Sequence, residues 1–254
     1  MRIAVLADIH GNLRALEAVH ADLIKRSAEV IVNLGDTVSG PLQATATADW
    51  LMQQDWVHIR GNHDRQLVDR APAEMGLSDQ AAHAQLNGRQ LDWIANLPPT
   101  RMLTDDVLLC HGSPGSDLEY LLEQVDGDRV RLASPEQIEG RLANVPASLI
   151  FCGHTHLPRI VSLPGGVWVV NPGSVGLQAY DDTVPAKHYV ENGSPHARYA
   201  IVDWDGKTAR ADFMAIDYDW ESAAREAARA NRPDWAHALT TGYALGDKLS
   251  NPIR

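Results

Sequence analysis

Apolar residues in this chain gather into short runs that stop abruptly at polar residues. "RIAVLA" (2–7) ends at Asp8 and is followed by "NLRALEAVHADLIKR" (12–26). There Leu13, Leu16, Val19 and Leu23 recur at the 3.6-residue period of an amphipathic helix. "EVIVNLG" (29–35) and "WVHIRG" (56–61) repeat the pattern of a strand running into glycine, with "ATATADWLMQQ" (44–54) as a helix between them. Strands alternating with helices at this spacing predict a largely parallel, buried sheet whose chemistry gathers at the carboxyl ends of its strands.

Further along, "LSDQAAHAQLNGRQLDWIANLP" (77–98) predicts one or two helices, with Ser78 as N-cap candidate and Gly88 as a weak point. "TRMLTDDVLLCHG" reads as a hairpin through Asp105-Asp106, and "SPEQIEGRLANV" (134–145) as a helix with Ser134 before Pro135. "SLIFCG", "PRIVSL" and "VWVVNPGS" give three strands, and "RYAIVDWDGKTARADFMAID" a second hairpin around Asp205-Gly206. A polar, alanine-rich helix, "DWESAAREAARANR", opens a C-terminal helical tail from about residue 218. The expected architecture is one domain over residues 1–254: one sheet from the N-terminal units and one from the later strands, packed face to face with helices outside. "QAYDDTVPAKHYVENGSPHA" (178–197) shows no periodicity and is expected as a long loop, either disordered or a lid.

Composition narrows the partners. Apolar and charged fractions of 44% and 22% are those of a globular chain. A net charge of −11 argues against polymeric nucleic acid as a partner, because no excess of Lys and Arg exists to displace phosphate counterions. An anionic substrate must then find its positive charge locally. Too few apolar residues precede Asp8 for a signal-peptide core of roughly 7–15, and no run approaches the ~20 of a membrane span. The expectation is a cytoplasmic protein with no membrane partner. Cys110 and Cys152 each end an apolar run and are expected as small buried residues, not a disulfide framework. Seven tryptophans can serve the core or a dimer face, which leaves a homo-oligomer open.

Five strand ends carry residue types that bind metals: Asp8 and His10, Asp36, Asn62 and His63, His111, and His154 and His156. Each has an ordinary reading alone: Asp8 as a helix cap, Asp36 as a turn residue, His111 as a hydrogen-bonded core histidine. Recurrence at five strand ends, which parallel strands bring to one rim, points instead to a shared site. Residues i and i+2 leaving a strand can point to the same side, so Asp8 with His10, and His154 with His156, each offer two donors in one short step. Five His or Asn donors plus two carboxylates exceed what one tetrahedral zinc needs, which indicates two divalent ions. Imidazole, carboxylate and amide oxygen suit manganese, iron, zinc or nickel.

The blocks "DIH" (8–10), "GD" (35–36), "GNHD" (61–64), "HG" (111–112) and "GHTH" (153–156), in this order and over roughly residues 1–175, resemble the calcineurin-like metallophosphoesterases. The resemblance implies an α/β fold, a four-layer α/β-β/α sandwich with two stacked mixed β-sheets and a dinuclear metal site. It implies that Asp8, His10 and His156 hold one metal, that Asn62, His111 and His154 hold the other, and that Asp36 bridges. His63 is then the catalytic histidine, protonating the leaving alkoxide or stabilising its charge. Asp64 either orients that imidazole or begins a helix.

The implied activity is hydrolysis of a small-molecule phosphodiester or nucleotide by attack of a metal-bridging hydroxide. The alternatives are a dinucleoside polyphosphate (diadenosine tetraphosphate-type) hydrolase or a phosphomonoesterase, and, further off, a catalytically silent scaffold or a nuclease. Arg65 and Arg159 lie beside metal-binding blocks, as phosphate contacts or as ordinary ion-pair residues. "VWVVNPGSVG" (167–176) resembles a signature of the small bacterial and archaeal phosphodiesterase branch, with Gly173 and Ser174 either offering backbone N–H groups to phosphate or forming a plain Pro-Gly turn. The tail "AIDYDWESAAREAARANRP" resembles that of a bacterial subgroup in which some members cleave dinucleoside polyphosphates. One departure narrows the substrate. Protein serine/threonine phosphatases of this superfamily place an Asp-Arg pair three residues after the bridging aspartate, where "GDTVSGP" has Ser39 and Gly40. The carboxylate that would polarise His63 and a phosphate-binding arginine are thus expected to be missing, which argues against a protein phosphatase.

Overall fold

The structure, a computed structural model, describes residues 1–142 and 145–246. The chain runs β1 (Arg2–Leu6), α1 (Leu13–Leu23), β2 (Val30–Asn33), α2 (Ala44–Leu51), β3 (Val57–His58), α3 (Asn62–Asp69), α4 (Leu77–His83) and α5 (Gly88–Ala95). Next come β4 (Thr100–Thr104), β5 (Val107–Cys110), β6 (Glu123–Asp126), β7 (Arg129–Leu132), α6 (Pro135–Leu142) and β8 (Leu149–Phe151). Then follow β9 (Arg159–Ser162), β10 (Trp168–Asn171), β11 (Ala179–Asp182), β12 (His188–Glu191), β13 (Ala197–Trp204) and β14 (Ala209–Ile216). Two helices, α7 (Trp220–Arg229) and α8 (Pro233–Thr241), close the described chain.

Two five-stranded mixed sheets form, in the orders β14-β13-β1-β2-β3 and β4-β5-β8-β10-β9. The period of two in a strand decides the layers. Ile3, Val5 and Val32 of the first sheet meet Val107, Leu109, Leu149, Phe151 and Val170 of the second. The alternate residues Ala4 and Leu6 face Leu16 and Val19 of α1. On the far side, Leu108, Cys110, Ile150 and Cys152 face Ile138 and Leu142 of α6. Each buried Val, Leu, Ile or Phe among these contributes roughly 1.5–3 kcal/mol, so the alternation sets which face of each sheet meets the other sheet and which meets helices.

Several expectations change. The β13–β14 hairpin joins the N-terminal sheet, pairing antiparallel with β1 (Ala4 opposite Ile201), because this buries Tyr199 and Ile201 against the α1 layer. Residues 178–197 are not a structureless loop but carry the β11–β12 hairpin, in which Ala179, His188 and Val190 are buried. A further hairpin, β6–β7, arises where the hydrophobic pattern leaves the chain unassigned. The two hairpins meet through Tyr189 N–H donating to Asp128 O (2.9 Å) and through an Arg129–Glu191 ion pair. Gly76, not Ser78, occupies the cap position of α4, and Asn87 caps α5 by a reciprocal pair of bonds with Gln90, so Gly88 opens a second helix. β3 is cut short because Arg60 N–H turns away to Pro98 O (2.9 Å). Ser134 and Gln137 cap α6 as expected, while Ala143 and Asn144, placed in that helix by the sequence, lie outside the described residues. No helix among the described residues is long and apolar enough to cross a membrane.

Candidate metal centre

The strand ends turn sharply at the positions that the sequence singles out. Asp8, His10, Asp36, His154 and His156 have φ between 52° and 67°, and they make up five of the seven described non-glycine residues with positive φ. Left-handed backbone costs roughly 1–3 kcal/mol per such residue, so the clustering marks a place where geometry is favoured over stability. Backbone bonds hold the turns together: Asp8 N–H to Gly35 O (3.0 Å), His10 N–H to Asp36 O (2.9 Å) and Gly153 N–H to His111 O (2.7 Å). Gly35 and Gly61 let the second and third turns touch, since a Cβ at Gly61 would stand 2.2 Å from Asp36 Oδ1. Gly61→Ala is therefore expected to displace Asp36 and to cost about 2–3 kcal/mol, a fall of several degrees in melting temperature by calorimetry.

Hydrogen bonds to carbonyls fix which imidazole nitrogens stay bare. His10 Nδ1 donates to Ser39 O (2.8 Å) and His156 Nδ1 to Leu177 O (2.7 Å). Carbonyls only accept, so in the neutral imidazoles both Nε2 atoms present lone pairs, and these face each other at 3.3 Å, with Asp8 Oδ1 3.5 Å from His156 Nε2. His111 repeats the arrangement: Nδ1 donates to Leu34 O (2.8 Å), and Nε2 meets Asn62 Oδ1 at 3.0 Å and Asp36 Oδ2 at 3.2 Å. His154 reverses it, spending Nε2 on Leu118 O (3.2 Å) and keeping Nδ1 for the site. Converging lone pairs repel unless a cation lies among them. The separations are the donor–donor edges expected when each atom sits about 2.1 Å from a shared ion. Two groups result, Asp8/His10/His156 and Asp36/His111/His154, each with its ligand atoms within 4.8 Å of one another. Asp36 Oδ2 reaches both, 3.2 Å from His111 Nε2 and 3.9 Å from His10 Nε2. Asp8 Oδ2 is buried with no hydrogen-bond partner among the described residues, as an oxygen reserved for an ion would be.

Electrostatics keep this set in ligand form. Burial opposes ionisation of Asp8 and Asp36, yet His156 beside the first and His111 beside the second hold both carboxyls below the usual range. Burial pushes His10 and His154 down to about 4, leaving them neutral near pH 7. Burial also opposes a charge on His111, but Asp36 and Asp8 outweigh it and raise that group to about 10, a preference for positive charge that a metal ion can satisfy instead.

His63 stands apart from the ligands. Its backbone N–H donates to Asp36 Oδ1 (2.9 Å), its Nδ1 binds Asp79 Oδ1 (2.7 Å), and its side chain is 33% exposed to the cavity. Asp79, 1% exposed, also accepts from Ser39 Oγ (2.6 Å). The carboxylate expected to be missing is thus present, delivered by α4 instead of the loop after β2, and Ser39 holds it in place. Burial disfavours the imidazolium, but Asp36 and Asp79 prevail and raise His63 to about 9. Asp64 spends its carboxylate elsewhere. It accepts from Gly61 N–H (2.9 Å) and Thr37 N–H (2.9 Å), capping α3 and latching it to the Asp36 turn.

A cavity of about 890 Å³ opens over these residues, with His10, Asp36, Asn62, His63, His154 and His156 on its floor. Tyr120, Tyr180, Arg232 and Trp235 wall it, and Val184 and Pro185 at the β11–β12 tip reach its rim. Tyr180 OH lies in hydrogen-bond reach of both His154 O (3.1 Å) and Tyr120 OH (3.0 Å), tying the hairpin to the metal loop. Arg65, Arg159, Gly173 and Ser174 do not line it. Arg65 pairs with Asp117 (2.6 and 3.0 Å) and Arg159 with Glu123 (2.5 Å). Gly173 N–H donates to Asn171 Oδ1 (2.9 Å) and Ser174 Oγ to Asp8 O (2.9 Å), so this turn buttresses Asp8 from behind. Cys110 and Cys152 are free and buried, and burial raises both thiols, Cys110 to about 12, so they act as small core residues.

Comparison with known proteins bears on the fold and the family. An uncharacterized protein of Methanocaldococcus jannaschii is 23% identical over 257 residues, covering 92% of this chain and 94% of its own length. The crystal structure of a metallophosphoesterase from Sphaerobacter thermophilus superposes with a TM-score of 0.73 at 23% identity, over 95% of this chain and 99% of that one. The hypothetical protein PH1004 from Pyrococcus horikoshii OT3 does so with a TM-score of 0.75 at 18% identity, over 96% and 99%. These likenesses establish a shared fold. The calcineurin-like phosphoesterase superfamily domain matches residues 1–193, where every strand-end donor lies, and the chain belongs to that superfamily.

Proposed function

We propose that this protein is a two-metal phosphoesterase that hydrolyses a small-molecule phosphodiester or nucleotide. The observation that carries the reading is the pair of bare Nε2 atoms on His10 and His156, facing each other at 3.3 Å beside Asp8. In it Asp8, His10 and His156 would hold one divalent ion, Asn62, His111 and His154 would hold the other, and Asp36 would serve both. Two such ions, when bound, would lower the pKa of a shared water and neutralise phosphoryl oxygens. Asn62 adds a donor without cancelling positive charge that the phosphate needs. His63, with Nδ1 committed to Asp79, turns Nε2 to the cavity and holds a proton where an oxygen departs from phosphorus. Tyr180 and Trp235 line the cavity beside these residues and give it an apolar flank. The cavity's volume of about 890 Å³ suits a small molecule, and with a net charge of −11 it disfavours a duplex.

The test is hydrolysis by the manganese-supplemented protein of bis-p-nitrophenyl phosphate, p-nitrophenyl phosphate and diadenosine tetraphosphate, with EDTA controls. Turnover of the diester or the dinucleotide that disappears with chelator is expected. A protein that holds two ions and leaves all three compounds intact would sink the proposal.

A further inference from the structure

The C-terminal helices supply a wall of the cavity that the strand-end motifs do not. Trp235 of α8 stands edge-on to the His10 imidazole, centroids 5.9 Å apart, over Gly40, where a Cβ would come within 2.5 Å of its ring. Arg232, just before α8, lines the same cavity with its guanidinium 5.6 Å from the Trp235 ring centroid. Its side chain is only 15% exposed. Nε and Nη2 pair side-on with Asp234 (3.0 and 2.6 Å), and Nη1 donates to Ser78 Oγ (2.9 Å). Ser78 immediately precedes Asp79, which binds His63. One turn of α4 therefore brackets both the cavity-facing histidine and this arginine.

A guanidinium has five N–H donors. The bonds to Asp234 and Ser78 use three, and one N–H on each terminal nitrogen remains. A side chain already fixed by three bonds and a stacked ring has little rotamer freedom left to lose on binding a ligand. Arg70 and Arg141 line the same cavity and Asp234 offsets part of the Arg232 charge, but Ser78 holds Arg232 next to the Asp79–His63 pair, where it can meet a second anionic group.

We infer that Arg232 binds a phosphate on the His63 side of the cavity, so that the leaving group carries its own phosphate. The substrate class is a phosphoanhydride, such as a nucleoside polyphosphate. This rests on the reading above, in which His63 faces the departing oxygen. In the hydrolysis, a water oxygen bonds to the attacked phosphorus and the P–O bond to the leaving phosphate breaks. That leaving oxygen keeps the electron pair and takes the His63 proton beside the Arg232 charge, and the proton released by the attacking water passes to solvent, from which His63 is reprotonated.

The test compares wild type with Arg232→Gln and Arg232→Lys, all manganese-loaded, on diadenosine tetraphosphate and on bis-p-nitrophenyl phosphate, whose leaving aryl group bears no phosphate. Losing a charge-assisted hydrogen bond is expected to lower the ratio of kcat/KM for the first over the second about tenfold or more, mainly through KM, with Lys recovering part. Calorimetric titration should show pyrophosphate affinity falling about tenfold in Arg232→Gln and orthophosphate affinity falling less. An unchanged ratio, or pyrophosphate binding that is absent in wild type or equal in the variant, overturns the assignment. Failure of the phosphoesterase reading looks different: no turnover of either substrate by wild type, with the pyrophosphate titration still deciding the role of Arg232.

Discussion

Replacing Asp36 with asparagine is expected to strip the protein of both metal ions and to abolish hydrolysis. Asp36 Oδ2 lies 3.2 Å from His111 Nε2 and 3.9 Å from His10 Nε2, so one oxygen serves both donor groups. Asparagine keeps the shape but leaves Asp8 as the sole carboxylate against two divalent ions, and its amide N–H groups cannot coordinate. The loss should exceed the roughly 10–100-fold in affinity that outer hydrogen-bond partners of metal ligands are worth. Misfolding would not explain the result. The amide oxygen of asparagine can still accept from His63 N–H, and melting curves of variant and wild type, both recorded in EDTA, separate loss of the ions from loss of the fold. Elemental analysis after gel filtration, with the phosphoester assay on the same samples, checks both halves. Metal content equal to wild type would remove Asp36 from its place between the ions.

The legibility of this site follows from where its residues sit. Asp8, Asp36, His111 and His154 each follow a short apolar run, so the run locates the strand and the break locates the ligand. The left-handed φ values at Asp8, His10, Asp36, His154 and His156 are invisible in the sequence, yet they help decide that His154 joins His111 while His156 joins His10. Asp79 could not be read the same way. An aspartate near the start of a helix is ordinary helix chemistry, and only the packing of α4 beside α3 turns it toward His63. The β11–β12 hairpin hid for a related reason: its buried positions include His188, whose Nδ1 and Nε2 are satisfied by Ala186 O and Tyr120 OH, so burial there leaves no apolar alternation to detect. The attachment of β13–β14 to β1 is a long-range choice that a local period cannot encode. Arg232 was masked in the same way, as one cation in a polar tail.

The substitution His63→Ala is expected to separate chemistry from metal binding. None of the short donor–donor contacts that define the two groups involves the His63 ring, so both ions should remain by elemental analysis. Removing a positioned proton donor should lower kcat about 10²–10⁴-fold, with KM much less affected. Asp79→Asn tests the same step more gently, since the amide oxygen can still accept from Nδ1 while the charge is lost. The sign of the pH effect is fixed by that charge. Burial opposes the imidazolium, and Asp36 and Asp79 raise His63 to about 9 against it, so deleting the Asp79 charge lowers the His63 pKa. A rate that needs protonated His63 should then begin its alkaline decline at lower pH in Asp79→Asn than in wild type, with metal content unchanged. Were His63→Ala to lose its ions as well, the imidazole would belong to the ligand set, and the departing oxygen would lack the proton donor assigned to it.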